Sequence, residues 1–291
     1  MLDYSIKLPK NRRLSPVGFY VMPFFINLLK LLLKNHDKRY IIHPINTGLR
    51  RILRVCQINL FTEIKMKAFE KLPECFQNDG VKQYYDTLKK KSSRIFFKRV
   101  LDILLSLIML VFLIVPIIVI SIMVKATSKG PVMFRQERVT TYGRKFKILK
   151  FRTMVVNAES LGTQVTTDHD DRVTKIGRKL RKYRLDELPQ IFNVLSGSMS
   201  FVGVRPEVPK YVEQYEDVYY ATLLMPAGIT SPASIQYKDE EKLLAECDDA
   251  DKVYIEQILP EKMKYNLSYI ENFGFFSDIG IMFKTVVEVA K

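Results

Sequence analysis

Apolar positions cluster in one place. From Ile103 to Val124 the chain runs about 22 residues without a charge, enough to reach across a hydrocarbon core as a helix. Pro116 falls inside that run. Proline removes a backbone donor and crowds the preceding turn, so a helix there kinks or breaks. Lys98 and Arg99 precede the run, and Lys125, Lys129, Arg135 and Arg138 follow it. Lys and Arg are retained on the cytoplasmic side of a membrane. A straight span exports one of the two clusters, whereas a helix bent at Pro116 keeps both inside. The pattern favours the bent, re-entrant form, with a kinked single span as the alternative.

Elsewhere the periodicities are shorter. Phe19 to Leu33 is apolar but interrupted by Pro23, Asn27 and Lys30, which predicts a buried or interfacial helix rather than a span. A basic helical pattern continues through Arg50, Arg51, Arg54, Lys65, Lys67 and Lys71, read either as a solvated face or as a membrane-surface face. Lys89-Lys90-Lys91 marks a junction. The expected organisation is a basic, mostly helical extension over 1–93 and a second domain over 94–291 that carries the membrane helix 103–124. Beyond that helix, Gly130-Pro131 signals a turn. Val132 to Phe134 and Lys145 to Phe151 read as short strands flanking a turn at Tyr142-Gly143. Helical patterning returns from Thr174 to Arg184 and from Leu188 to Leu195. Residues 207–291 read as mostly helical around a loop at Pro226–Pro232. The expected fold is α+β, mainly helical, with a helix–break–helix membrane segment and a membrane-associated cytoplasmic domain.

Charge narrows the partners. The 291 residues carry a formal net charge of +15, which implies a polyanion: nucleic acid, anionic headgroups or phosphorylated substrates. Cys56, Cys75 and Cys247 form no CxxC pair and read as free thiols in a reducing compartment. His36, His43 and His169 lack metal-ligand spacing, so a metal here would be oxygen-liganded, magnesium or manganese rather than zinc. No secretory signal peptide is expected from the first residues.

One acidic pair stands out against this charge. Asp186-Glu187 follows Arg181-Lys182-Tyr183-Arg184-Leu185 and precedes Leu188-Pro189-Gln190. Adjacent residues on a helix point about 100° apart, so the two do not form a shared-proton dyad. They can divide labour, one attacking or accepting a proton while the other holds a cation. The plain alternative is acidic residues favoured at a helix start by its dipole. Cations weigh against it: Arg181, Arg205 in a Val-Arg-Pro-Glu turn, and Lys150 and Arg152 framing Phe151. Guanidinium groups recognise phosphate bidentately. Carboxylate, divalent cation and arginines are what phosphoryl transfer requires. No P-loop, GxGxxG fingerprint or nucleophile elbow is present.

The motifs together carry a resemblance. Lys98-Arg99-x-x-Asp102 stands before the proline-broken helix. Gly130-Pro131-Val132-x-Phe134-x-Gln136, Lys150-Phe151-Arg152-Thr153-Met154 and Leu185-Asp186-Glu187-Leu188-Pro189-Gln190 follow. Asn193-Val194-Leu195 and Met199-Ser200-x-Val202-Gly203-x-Arg205-Pro206 complete the series. In this order, residues 94–291 resemble the bacterial sugar transferases called monotopic phosphoglycosyl transferases.

The resemblance implies a re-entrant helix and a domain on the cytoplasmic face of the bacterial inner membrane. It implies transfer of a sugar-1-phosphate from a UDP-sugar to polyprenyl (undecaprenyl) phosphate with release of UMP. Such a step initiates capsule, exopolysaccharide or O-antigen synthesis. Asp186 would be the covalent nucleophile and Glu187 would help hold Mg²⁺. Arg181 and Arg205 would bind phosphate or nucleotide, with Lys150 and Arg152 in support. Membrane lipids and downstream glycosyltransferases are the implied partners, and nucleic acid is not. Two positions depart from the family pattern: Val204 replaces a proline, and Thr140 replaces a glycine. They leave room for a catalytically silent scaffold of a glycan-assembly complex. A membrane-anchored nucleic-acid-binding protein fits the charge, but no recognition motif supports it.

Overall fold

The alternating pattern after the apolar run folds into an antiparallel hairpin. In the computed structural model, which describes residues 66–158, 170–245, 247 and 249–290, β1 (Met133–Val139) pairs with β2 (Lys145–Phe151). The register runs from Met133 opposite Phe151 to Val139 opposite Lys145. Tyr142 and Gly143 take the left-handed conformation in the turn, with φ of 58° and 75°, as the predicted turn requires. β1 is longer than the expected Val132–Phe134 segment because its outer half pairs through Arg138 and Val139.

Leu53–Lys291 form one compact unit. Helix α1 (Asp79–Lys90) starts at Asn78, whose side chain accepts from the Val81 N–H at 2.9 Å, an ordinary N-cap. Its Val81, Tyr85 and Leu88 enter the main core together with Leu72 and Phe76. The opposite wall of that core comes from Val202, Tyr211, Leu224, Met263 and Ile270. The Phe19–Leu33 stretch and the basic pattern from Arg50 to Lys65 lie outside the described residues.

Helix α2 spans Ser92–Thr127 with Pro116 inside it. Among the described residues it is the one helix long and apolar enough to cross a membrane. Only 22% of its most apolar window is buried, so it is not a core helix. The Lys98-Arg99-x-x-Asp102 motif ties its base to three separate elements. Lys98 Nζ meets Asp278 Oδ2 at 2.5 Å. Arg99 donates to the Val194 and Leu195 carbonyls at 2.6 and 2.9 Å. Asp102 accepts from the Phe201 N–H at 3.2 Å. At the other end, Ile117, Ile120 and Val124 share an apolar cluster with Phe151, Leu180 and Ile191. Phe112 and Val115, between the two ends, are exposed.

A second pairing was not expected. β3 (Met199–Val202) and β4 (Ala227–Thr230) form a short parallel ladder, so the segment read as a loop at Pro226–Pro232 contains a strand. The reason is close packing. A Cβ on Gly228 would sit 2.1 Å from the Gly203 nitrogen, so only glycine lets the two backbones meet there. Thr140, the departure noted above, locks this region. Its fully buried hydroxyl donates to the Ser198 carbonyl at 2.8 Å and accepts from the Ala227 N–H at 3.2 Å.

Candidate active site

The acidic pair lies between two short helices. Helix α3 (Lys175–Lys182) begins at Thr174, whose hydroxyl accepts from the Gly177 N–H at 3.0 Å. The chain then reverses at Arg184, a non-glycine residue at φ 53°, and Leu185–Glu187 make a single 3-10 turn. Helix α4 (Gln190–Ser196) follows and is closed by left-handed Gly197, the usual C-terminal stop. Asp186 and Glu187 are thus held in a tight turn rather than along a regular helix.

Two ties fix α4 beneath that turn. The Asn193 amide accepts from Leu149 N–H at 2.9 Å and donates to Lys147 C=O at 3.0 Å, so one side chain completes the open edge of β2. Arg99 bonds the last carbonyls of α4, that of Val194, which also accepts from the Gly197 N–H at 3.1 Å, and that of Leu195. The Asn193-Val194-Leu195 motif therefore joins the acidic turn, the hairpin and α2.

Glu187 is the electrostatic centre. Its Oε1 accepts from Lys150 Nζ and from Arg205 Nη2, each at 2.9 Å. Burial alone would push this carboxyl up, but Arg205 and Lys150 outweigh it and hold the group well below the usual range. The Arg205 guanidinium is raised in turn by Glu187. Asp186 behaves oppositely. Burial raises its carboxyl, Lys150 pulls it back in part, and the neighbouring Glu187 charge adds to the rise. Its Oδ1 is buried with no hydrogen-bond partner. A desolvated, more basic carboxylate is a better nucleophile than an ordinary one.

The remaining candidates divide. Arg181 donates through Nε to Thr153 Oγ1 at 2.9 Å and adds positive charge at Asp186. Arg152 is buried and turns toward the exit of α2, where Nη2 donates to Ser128 O and Oγ at 2.9 and 2.7 Å. Lys150, Arg181 and Arg205 therefore gather around the acidic pair, while the Arg152 bonds go to Ser128, the residue that ends α2. Val204 leaves the Arg205 turn fastened, since its carbonyl accepts from Gly228 N–H at 2.8 Å. Gln190 closes the Leu185–Gln190 motif but was not among the expected site residues. It is fully buried four residues after Asp186, and neither polar atom of its amide has a partner.

Among the described residues no group of three or more acidic, histidine or cysteine side chains converges. Such a site cannot cage a cation by protein ligands alone. Magnesium does not need a cage, because it keeps several waters and takes one or two carboxylates plus substrate phosphates. The adjacent carboxylates fit that mode.

A model of the family described as bacterial sugar transferase matches residues 93–291. The UDP-N-acetylgalactosamine-undecaprenyl-phosphate N-acetylgalactosaminephosphotransferase of Aeromonas hydrophila is 38% identical over 194 residues, covering 66% of this chain and 43% of the relative. The UDP-glucose:undecaprenyl-phosphate glucose-1-phosphate transferase of Klebsiella pneumoniae is 39% identical over 193 residues, 65% of this chain and 39% of its own. The Escherichia coli (strain K12) protein of that same name is 36% identical over 205 residues, 69% and 42% of the two chains. The chain thus spans about two fifths of the length of these relatives.

Proposed function

This chain belongs to the bacterial sugar transferase family, and we propose that it transfers a sugar-1-phosphate from a UDP-sugar to undecaprenyl phosphate. The observation that carries the reading is a buried carboxylate, Asp186 Oδ1, without a partner beside Lys150 and Arg181. In the first step an Asp186 oxygen forms a bond to the phosphorus that bears the sugar. The bond from that phosphorus to the bridging oxygen breaks, and UMP leaves with the electron pair. In the second step a phosphate oxygen of the lipid attacks the same phosphorus. The Asp186 oxygen leaves, which restores the carboxylate and yields a lipid diphosphate sugar.

Arg181 and Arg205 hold the diphosphate, and Lys150 offsets its charge. Glu187 stays ionised throughout because its two cations hold its proton affinity down. Mg²⁺, when bound through Glu187, supplies further neutralisation of the diphosphate. The two departures from the family pattern do not favour a silent scaffold, since Thr140 and Val204 are each bonded into the β3–β4 region.

We also read α2 as re-entrant, with both basic flanks in the cytoplasm at the inner membrane. What supports this is that both its ends pack on the same body: Lys98, Arg99 and Asp102 at one end, Ile117, Ile120 and Val124 at the other. A helix crossing a hydrocarbon core about 30 Å thick would leave one end with no body to pack on. The relatives' names differ in their sugar, N-acetylgalactosamine in one and glucose in another, so the donor is set by assay. UMP release would be measured with undecaprenyl phosphate, Mg²⁺ and a panel of UDP-glucose, UDP-galactose and UDP-N-acetylhexosamines. Turnover with at least one donor is expected. Silence across the panel would remove the reading.

A further inference from the structure

Behind Arg205 lies a buried ionic cluster that the proposed chemistry does not use. Glu207, two residues beyond Arg205, is buried, yet its carboxyl stays below the usual range. Burial opposes this, and Lys262 and Arg138 outweigh it. Tyr254 donates to Glu207 Oε1 at 2.6 Å. Lys262, itself buried, reaches the same oxygen at 3.3 Å, the Tyr254 hydroxyl at 2.8 Å and Glu240 Oε2 at 3.1 Å. Arg138 Nη1 donates to the Pro206 carbonyl at 3.0 Å, and the Val139 N–H donates to the Glu207 carbonyl at 3.0 Å. On its other side the Arg205 turn is held by Gly228 N–H on Val204 C=O. The carbonyls of Val204, Pro206 and Glu207 around Arg205 are therefore all bonded, the last two by β1, and the Glu207 side chain is held by Lys262 of helix α5 (Leu259–Glu271).

Isolated buried charges are costly, and a buried pair stabilises a fold little better than apolar residues of the same size. Rigidity of a networked polar group is what such a cluster supplies. Arg205 is the one residue of this turn that reaches Glu187 in the site. We infer that Lys262 and Glu207 are positioning residues that aim the Arg205 guanidinium at the donor's diphosphate. This inference rests on the proposed transferase reading. Tyr254 and Arg138 complete the mount, one through the Glu207 carboxylate and the other through the Pro206 carbonyl.

The test uses the full chain in detergent with UDP as the probe. UDP affinity is measured by calorimetry for wild type, Lys262→Met, Lys262→Arg, Arg205→Ala and the Lys262→Met/Arg205→Ala pair. If Lys262 acts through Arg205, Lys262→Met weakens UDP binding about tenfold, and the double variant binds no more than about twofold more weakly than Arg205→Ala alone. Lys262→Arg retains most of the affinity. Should Lys262→Met fail to fold by its melting curve, Glu207→Gln takes its place in the same cycle. Wild-type-like UDP binding by the single variant, or losses that multiply in the pair, would overturn the inference while leaving the transferase reading intact. A wild type that neither binds UDP nor releases UMP would instead sink the transferase reading, and this inference with it.

Discussion

At the scale of single residues, Asp186 and Glu187 are neighbours in sequence with opposite proton affinities. For Asp186 the folded-state value lies above the unfolded one. Its contribution to stability is therefore present below the unfolded pKa and lost as pH rises through the folded pKa. Glu187 is depressed, so its contribution is present above the unfolded value and lost as pH falls through the folded one. Two predictions follow from the signs. Asp186→Asn should abolish turnover and yet stabilise the fold at neutral pH by roughly 1 kcal/mol, since it removes a desolvated charge; thermal melts alongside UMP release would show both. Glu187→Gln should cost roughly 3–5 kcal/mol, because Lys150 and Arg205 lose a shared buried partner. In the wild type, the acid limb of the pH–rate profile should lie above the range of an ordinary aspartate, because a protonated Asp186 does not attack. A profile that is flat down to the usual carboxylate range would speak against the nucleophile's assignment.

At the scale of elements, the site depends on two joints that no local pattern announces. The hairpin was legible from the Lys145–Phe151 alternation and the Tyr142-Gly143 turn, though its first strand, expected at Val132–Phe134, extends over Met133–Val139. The β3–β4 pair was not, because four-residue strands buried on both faces leave no alternation to read. Arg181, Lys150 and Arg205 stood out by motif, yet their convergence depends on Thr153, Asn193 and Glu207, whose partners lie far away in sequence. Thr140→Val tests the first joint. The substitution keeps the volume but strands the Ser198 carbonyl and the Ala227 N–H, and should cost about 1–3 kcal/mol in a denaturant melt. A neutral result would show that water replaces the hydroxyl. Arg99→Met tests the second, since it frees the α4 carbonyls beneath the acidic pair. It should lower turnover more than it lowers the melting temperature.

For the whole molecule, the question is how a basic body meets a bilayer. The exposed middle of α2 around Phe112 and Val115 is one apolar surface. Helix α6 (Phe275–Ala290) offers another, with Phe276, Phe283 and Val286 facing outward. Single cysteines placed at exposed positions 90 and 129, in a chain cleared of its own cysteines, should both resist a membrane-impermeant thiol reagent in intact cells. Labelling of either from outside would replace the re-entrant helix with a span. The long apolar helix, which continues through Pro116 as one helix, Ser92–Thr127, was legible from its uncharged run. That both of its ends pack on one body was not, because it depends on contacts between Arg99 and α4 and between Ile120 and its distant cluster.

The central claim is that Asp186 carries the phospho-sugar. The most direct test is intact-mass measurement of the full chain incubated with its UDP-sugar and Mg²⁺ but without undecaprenyl phosphate. The account predicts a gain equal to one sugar phosphate, matched by release of UMP, abolished in Asp186→Asn and cleared when the lipid phosphate is added. UMP release that waits for the lipid with no mass gain, or a mass gain that survives Asp186→Asn, would contradict it.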